Sequence, residues 1–168
     1  MTGGPAVTLV LGGARSGKSA YAEALLGGGT YLATATAGDA EMAARIAAHR
    51  ARRGQAWRTL EEPLELAATL AACEGPVLVD CLTLWLTNIM QAGGDVDAQT
   101  QALVAALQEL AGPVVLVSNE VGQGIVPDNA LAREFRDRAG RLNQDVAAVA
   151  GRVVLVAAGL PLVLKGEK

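Results

Sequence analysis

Aromatic side chains are scarce in this 168-residue chain, where two Trp, two Tyr and one Phe make up 3% of the residues. Proteins that stack on unpaired bases need such rings, and those that track phosphate backbones need a basic surface. With few rings, a net charge of −3 and a pI near 5.2, the sequence argues against a nucleic-acid partner. Cysteine is nearly absent. Cys73 and Cys81 have neither metal-ligand nor redox spacing, and a reducing cytosol is the default compartment for such a chain. No apolar run approaches the length of a membrane span. The first residues also lack the basic stretch and apolar core of a signal peptide, so the expectation is a cytoplasmic protein. Histidine occurs once, at His49.

What the chain has instead is aliphatic bulk and one strong motif. Just over half of the residues are hydrophobic, mostly Ala, Val and Leu, the composition of close-packed parallel strands. Residues 12–19, Gly12, Gly13, Ala14, Arg15, Ser16, Gly17, Lys18 and Ser19, spell G-x-x-x-x-G-K-S between an apolar run at 6–11 and a helix-prone segment. That is the phosphate-binding P-loop in its required strand-to-helix context. Glycine lets the backbone curl so that successive N–H groups point at phosphate oxygens. The helix beginning near Lys18 adds its positive dipole end. Lys18 reaches the β- and γ-phosphates, and the Ser19 hydroxyl takes a place on Mg²⁺.

The rest of the chain predicts alternating strands and helices in one domain over residues 1–168. Strands are expected at 7–11, 30–33, 57–60 (an edge strand), 77–80, 114–117 and 152–157, with 160–164 returning antiparallel. Helices are expected at 18–27, 39–53 with Asp39 as N-cap, 63–73 with Pro63 in the first turn, 82–91, 96–111 and 128–150. The pattern predicts an α/β fold, a mostly parallel sheet covered on both faces, with ligands at the carboxyl ends of the strands. The P-loop, Thr34 to Thr36, Asp80 and the Asn119–Glu120 pair all fall at that end.

Asp80 closes an apolar strand, where it either orients Mg²⁺ or its water shell or caps the next helix; Glu120 is the runner-up for the metal role. His49 sits among Arg45, Arg50, Arg52 and Arg53, with Arg45 and Arg53 on its own helix face. This is either a solvated charged face or a phosphate clamp beside an imidazole kept neutral by positive charge and able to attack phosphorus. Glu61 and Glu62 either hold ribose hydroxyls or load a helix N-terminus with favourable charge. Asn119–Glu120 does not fit the N-K-x-D guanine signature.

Five blocks in order, at 12–19, 39–53, 57–63, 79–88 and 118–144, resemble the bifunctional adenosylcobinamide kinase/adenosylcobinamide-phosphate guanylyltransferase family of cobalamin synthesis. The likeness runs from about residue 7 to residue 166. It implies a RecA-like P-loop NTPase fold and a homotrimer. It also implies two reactions: phosphorylation of adenosylcobinamide by ATP or GTP, then transfer of GMP from GTP to the product, releasing pyrophosphate. It further implies that His49 carries the guanylyl group. Some members have a second histidine directly before it, where this chain has Ala48. Nucleotide contacts carry over to residues 12–19, to Thr34, Ala35 and Thr36, to Arg50, Ala51, Arg52 and Arg53, to Glu61 and to Asp80, where some relatives have Glu. The large corrin ring needs an apolar surface. Leu84, Trp85, Leu86, Ile125 and Val126 serve that purpose equally well on paper as they serve a core or a subunit contact. A plain small-molecule kinase, or a regulatory P-loop protein bound to another macromolecule, are the rival readings.

Overall fold

The computed structural model describes residues 7–36, 38 and 40–167, and the side chains of residues 41, 42, 45, 49, 50, 52 and 53 fall outside that description. Seven strands, β1 Val7–Gly12, β2 Gly29–Ala33, β3 Trp57–Glu61, β4 Val77–Asp80, β5 Val114–Asn119, β6 Arg152–Ala157 and β7 Leu160–Lys165, make one sheet in the order β3-β2-β4-β5-β1-β6-β7. Every neighbouring pair is parallel except β6 and β7. The helices are α1 Lys18–Leu26, α2 Ala40–Arg53, α3 Leu66–Ala72, α4 Leu82–Gln91, α5 Val96–Glu109 and α6 Ala130–Val149. This is the expected RecA-like α/β arrangement, with 57–61 as the edge strand and the C-terminal strand antiparallel.

Side chains alternate across a strand, and both faces of this sheet are apolar. In β5, Val114 and Leu116 enter one core with Leu66, Trp85, Leu103 and Leu142 from α3 to α6. Val115 and Val117 enter a second core with Val10 and with Ala22 of α1. From β1 the chain crosses through α1 to the β2 side of the sheet, whereas β5 leads through α6 to β6 on the other side of β1. The order therefore reverses beside β1, which makes the carboxyl end of β1 the crevice for a ligand.

Several boundaries differ from expectation for identifiable reasons. The third helix begins at Leu66 rather than Pro63, because the Glu62 carboxylate gathers the N–H groups of Leu64 and Glu65 at 2.9 and 2.8 Å into a separate turn. The Pro63 carbonyl is also taken, by the Asn88 side chain. Glu62 thus spends its carboxylate on this turn, and the first turn of α3 itself carries no acidic residue. The long helix starts at Ala130, with Asn129 as N-cap accepting from the Ala132 N–H at 2.7 Å. The fifth helix ends at Glu109, two residues early, ahead of the turn into Pro113. Asp39, expected to cap α2, lies outside the described residues. Along α2 the described side chains of Ala40, Ala43, Ala44, Ala47, Ala48 and Ala51 are exposed and Ile46 is half-buried.

Candidate nucleotide-binding site

The segment from Gly12 to Ser19 leaves β1 and enters α1 with the geometry a phosphate cradle requires. Gly12 ends the strand in register with Asn119 on one side and Val156 on the other. A Cβ at Gly12 would stand 2.7 Å from the Val156 carbonyl oxygen and would collide with Ser16 Oγ. Gly17 caps α1 at φ 94°, in the left-handed region that favours glycine. The Lys18 ammonium donates to the Gly13 carbonyl at 3.0 Å, folding the lysine over its own loop. Arg15 at φ 56° is a non-glycine residue in the left-handed region, and it is exposed. Strain held at such a position is common where a loop is shaped for a ligand. The Ser16 hydroxyl is buried without a partner.

A second element supports the loop. The turn between β6 and β7 places Ala158 at φ 52° and Gly159 at φ 77°. The Gly159 N–H donates to the Ser16 carbonyl at 2.8 Å, and its Cα lies 3.2 Å from where a Cβ on Gly17 would be. The antiparallel return at 160–164 implies a turn here; its grip on the P-loop has no local sequence signal, because it joins segments far apart in the chain.

Asp80 ends β4, half-buried, and its Oδ2 accepts from the Tyr31 hydroxyl at 2.5 Å. Leu78, two residues earlier and so on the same face, packs in the α1 core, which puts Asp80 on the side of the sheet that α1 covers. The Asn119 side chain falls on that face too, following Val115 and Val117, and its Oδ1 is buried without a partner. The runner-up, Glu120, spends Oε1 on the Gly122 N–H at 2.6 Å while its own N–H bonds the Gly12 carbonyl at 3.1 Å. Among the described residues no group of three or more His, Cys, Asp or Glu forms a metal cage. Mg²⁺ needs none, since it takes one or two protein oxygens and completes its shell with phosphate and water. The hydroxyl of Ser19 and the carboxylate of Asp80, both hard oxygen donors, fit that pattern.

Thr34, Ala35 and Thr36 follow β2 at the same end. The Thr34 hydroxyl is fully buried and committed: it donates to the Cys81 carbonyl at 2.7 Å and accepts from the Cys81 N–H at 2.9 Å. Ala35 is half-buried and Thr36 exposed. Burial, reinforced by the charge of Asp80, pushes the Cys81 thiol up to about 11. Glu61 closes β3 and is exposed. Helix α4 holds these strand ends together. Thr83 Oγ1 accepts from the Asn119 N–H at 2.8 Å, and the Asn88 amide donates to the Thr34 carbonyl at 2.8 Å.

Helix α2 carries His49, Arg50, Ala51, Arg52 and Arg53; Ala51 is exposed, and the side chains of the other four lie outside the described residues. The helix follows β2, and two strands, β4 and β5, separate β2 from β1. Three strand spacings amount to about 14 Å.

Of the residues considered for an apolar ligand surface, Trp85 and Leu86 are fully buried core, whereas Ile125 and Val126 are 98% and 65% exposed. An apolar groove of about 480 Å³ lies between α4 and the start of α6, lined by Thr87, Met90, Leu131, Ala132 and Phe135 among others.

The comparisons with known proteins agree in direction. The model of the cobinamide kinase / cobinamide phosphate guanyltransferase family matches residues 8–164. The chain is 53% identical to the bifunctional adenosylcobalamin biosynthesis protein CobP of Pseudomonas aeruginosa, covering 95% of this chain and 97% of that one. It is 46% identical to the bifunctional adenosylcobalamin biosynthesis protein CobU of Escherichia coli, covering 94% and 98%. Among solved structures, the P4 protein of bacteriophage phi13 aligns with a TM-score of 0.52 at 16% identity, covering 94% of this chain and 53% of its own. A Pyrococcus horikoshii protein, PH0250, aligns with the same score at 10% identity, covering 96% and 87%. These two support the fold alone.

Proposed function

Because the chain belongs to the cobinamide kinase / cobinamide phosphate guanyltransferase family, we propose that it phosphorylates adenosylcobinamide with ATP or GTP and then transfers GMP from GTP to the phosphate so made. The observation that carries this reading is the P-loop geometry at the carboxyl end of β1, with Lys18, Ser19 and Asp80 on the α1 side of the sheet. In the kinase step, loop N–H groups and Lys18 bind the β- and γ-phosphates, while the corrinoid hydroxyl attacks the γ-phosphorus and ADP or GDP leaves. Ser19 and Asp80 would hold Mg²⁺, which when bound offsets phosphate charge. Ala35, Thr36 and Glu61 would meet the nucleoside, with Thr34 acting through its backbone.

For the transfer step, the neutral imidazole of His49 attacks the α-phosphorus of GTP. A nitrogen–phosphorus bond forms, the bond to the bridging oxygen breaks, and pyrophosphate departs toward Lys18 and the arginines at 50, 52 and 53. A phosphate oxygen of the cobinamide phosphate then displaces the imidazole from phosphorus, giving adenosylcobinamide-GDP and restoring His49. The groove between α4 and α6 suits the apolar face of the corrin ring. We place the enzyme in the cytoplasm as a homotrimer; among the described residues no helix is long and apolar enough to cross a membrane.

Intact-protein mass spectrometry after incubation with GTP and Mg²⁺, followed by peptide mapping, tests the covalent step. The expected result is a GMP adduct at His49 that is absent from His49→Ala, with kinase turnover retained. An acid-labile GMP adduct persisting in His49→Ala would refute the assignment.

A further inference from the structure

We infer that Tyr31 is a positioning residue for Asp80, fixing the orientation in which that carboxylate meets the metal–nucleotide complex. The inference rests on the reading of Asp80 as the metal-side acid. Tyr31 sits in the middle of β2, 3% exposed, in the same core as Ala22 of α1. The parallel register pairs Tyr31 with Leu78 and Ala33 with Asp80, so the tyrosine stands one same-face position below the acid and its ring reaches up the strand to it. At 2.5 Å, the hydroxyl donates to Oδ2, within the range of strong charge-assisted bonds between a hydroxyl and a carboxylate.

The tyrosine is itself braced. Its ring meets Trp57 of β3 edge-on, with centroids 5.9 Å apart and planes at 89°, the arrangement the ring quadrupoles favour. Trp57, Tyr31 and Asp80 therefore form a continuous series across β3, β2 and β4. With Oδ2 held, Oδ1 is presented in a fixed direction. Mg²⁺ demands near-octahedral geometry and gains little from a carboxylate that must be ordered on binding.

The test is Tyr31→Phe, which removes one oxygen and keeps the ring, compared with Asp80→Asn. Mn²⁺ is titrated into each enzyme bound to a non-hydrolysable ATP analogue, and free Mn²⁺ is read by electron paramagnetic resonance. Tyr31→Phe should raise the half-saturating Mn²⁺ concentration about tenfold, the scale of one hydrogen bond to a charged group. Asp80→Asn should raise it at least as far. Trp57→Leu should shift it in the same direction by a smaller factor. A shift in Asp80→Asn with none in Tyr31→Phe would overturn the role of Tyr31 and leave that of Asp80 standing. No shift in any variant would overturn the reading of Asp80 and the role of Tyr31 with it. A lowered melting temperature in Tyr31→Phe with unchanged Mn²⁺ affinity would mark the tyrosine as purely structural.

Discussion

Gly12 and Gly13 are neighbours in one motif, yet the structure assigns them opposite tolerances. A methyl group on Gly12 would lie 2.7 Å from the Val156 carbonyl oxygen and closer still to Ser16 Oγ. Ordinary carbon contacts begin near 3.5 Å, so something must move by roughly 0.5–1 Å. The Val156 oxygen is backbone in β6, register-paired to Gly12, and cannot turn aside as a flexible side chain would. The loop therefore gives way. On Gly13 an added methyl would meet nothing within 4 Å, and that residue has no positive φ.

The consequence for binding follows from hydrogen-bond geometry. Phosphate contacts from backbone N–H groups hold only over a few tenths of an ångström around 2.9 Å. Misplacing two of them, at about 1.5–3 kcal/mol each for a charged acceptor, weakens nucleotide binding by roughly 3–6 kcal/mol, or about a hundredfold to ten-thousandfold. Overpacking of this kind also destabilises a fold by about 1–3 kcal/mol. Isothermal titration with ATP and Mg²⁺, beside urea unfolding of the free protein, measures both. Gly12→Ala should lose nearly all affinity, whereas Gly13→Ala should stay within about threefold of the parent, a difference under 1 kcal/mol. Equal affinities in the two variants, in either direction, would show that the close approach of β6 does not shape the cradle.

Two further outcomes are expected. Gly159→Val forces a β-branched residue to φ 77° and disturbs the N–H that holds the Ser16 carbonyl, so nucleotide affinity should fall about tenfold, the scale of one such bond. Gly159→Asn, which tolerates that backbone and keeps the N–H, should restore most of it, as the same titration will report. Cys81 has its folded pKa raised by burial from 9.0 to about 11, so the unfolded chain releases this proton first as pH rises. Its contribution to stability is fully present below pH 9 and declines between about 9 and 11, and urea midpoints across that range should drop. Below pH 9 the thiol should resist alkylation in the folded protein and react once unfolded.

The features legible in the sequence were those with a short-range cause. The P-loop announces itself in consecutive residues, and the runs at 77–80 and 114–117 read as strands because both of their faces are buried. Thr34 shows the opposite case. The family resemblance implies a nucleotide contact at this residue, yet its side-chain oxygen is spent on both backbone groups of Cys81, a partner 47 residues away. The late start of α3 has the same kind of origin, since the Asn88 amide of α4 claims the Pro63 carbonyl. Tyr31 offered no signal of its own. In sequence it is one aromatic residue in a short strand, and only the parallel pairing of β2 with β4 brings it beneath Asp80.

The same strand order constrains how one nucleotide could serve two chemistries. In the proposed kinase step Lys18 gathers the terminal phosphates at β1, which suits attack on the γ-phosphorus there. The strand that leads to α2, β2, lies three strand spacings from β1, roughly 14 Å, beyond the β5 and β4 ends that carry Asn119 and Asp80. For an imidazole on α2 to reach the α-phosphorus, the nucleotide must extend from the loop across those two strand ends, or the helix must approach, or a second subunit must supply it. The described α2 side chains bear on the energetic cost of approach. Six alanines are exposed and only Ile46 is half-buried, so shifting these described residues strips little apolar area from the core, at about 25 cal/mol per Å² removed. On the proposed reading, the phosphoryl site is thus built at the carboxyl end of the interior strand β1, while the guanylyl acceptor is carried on α2, whose described side chains are nearly all exposed.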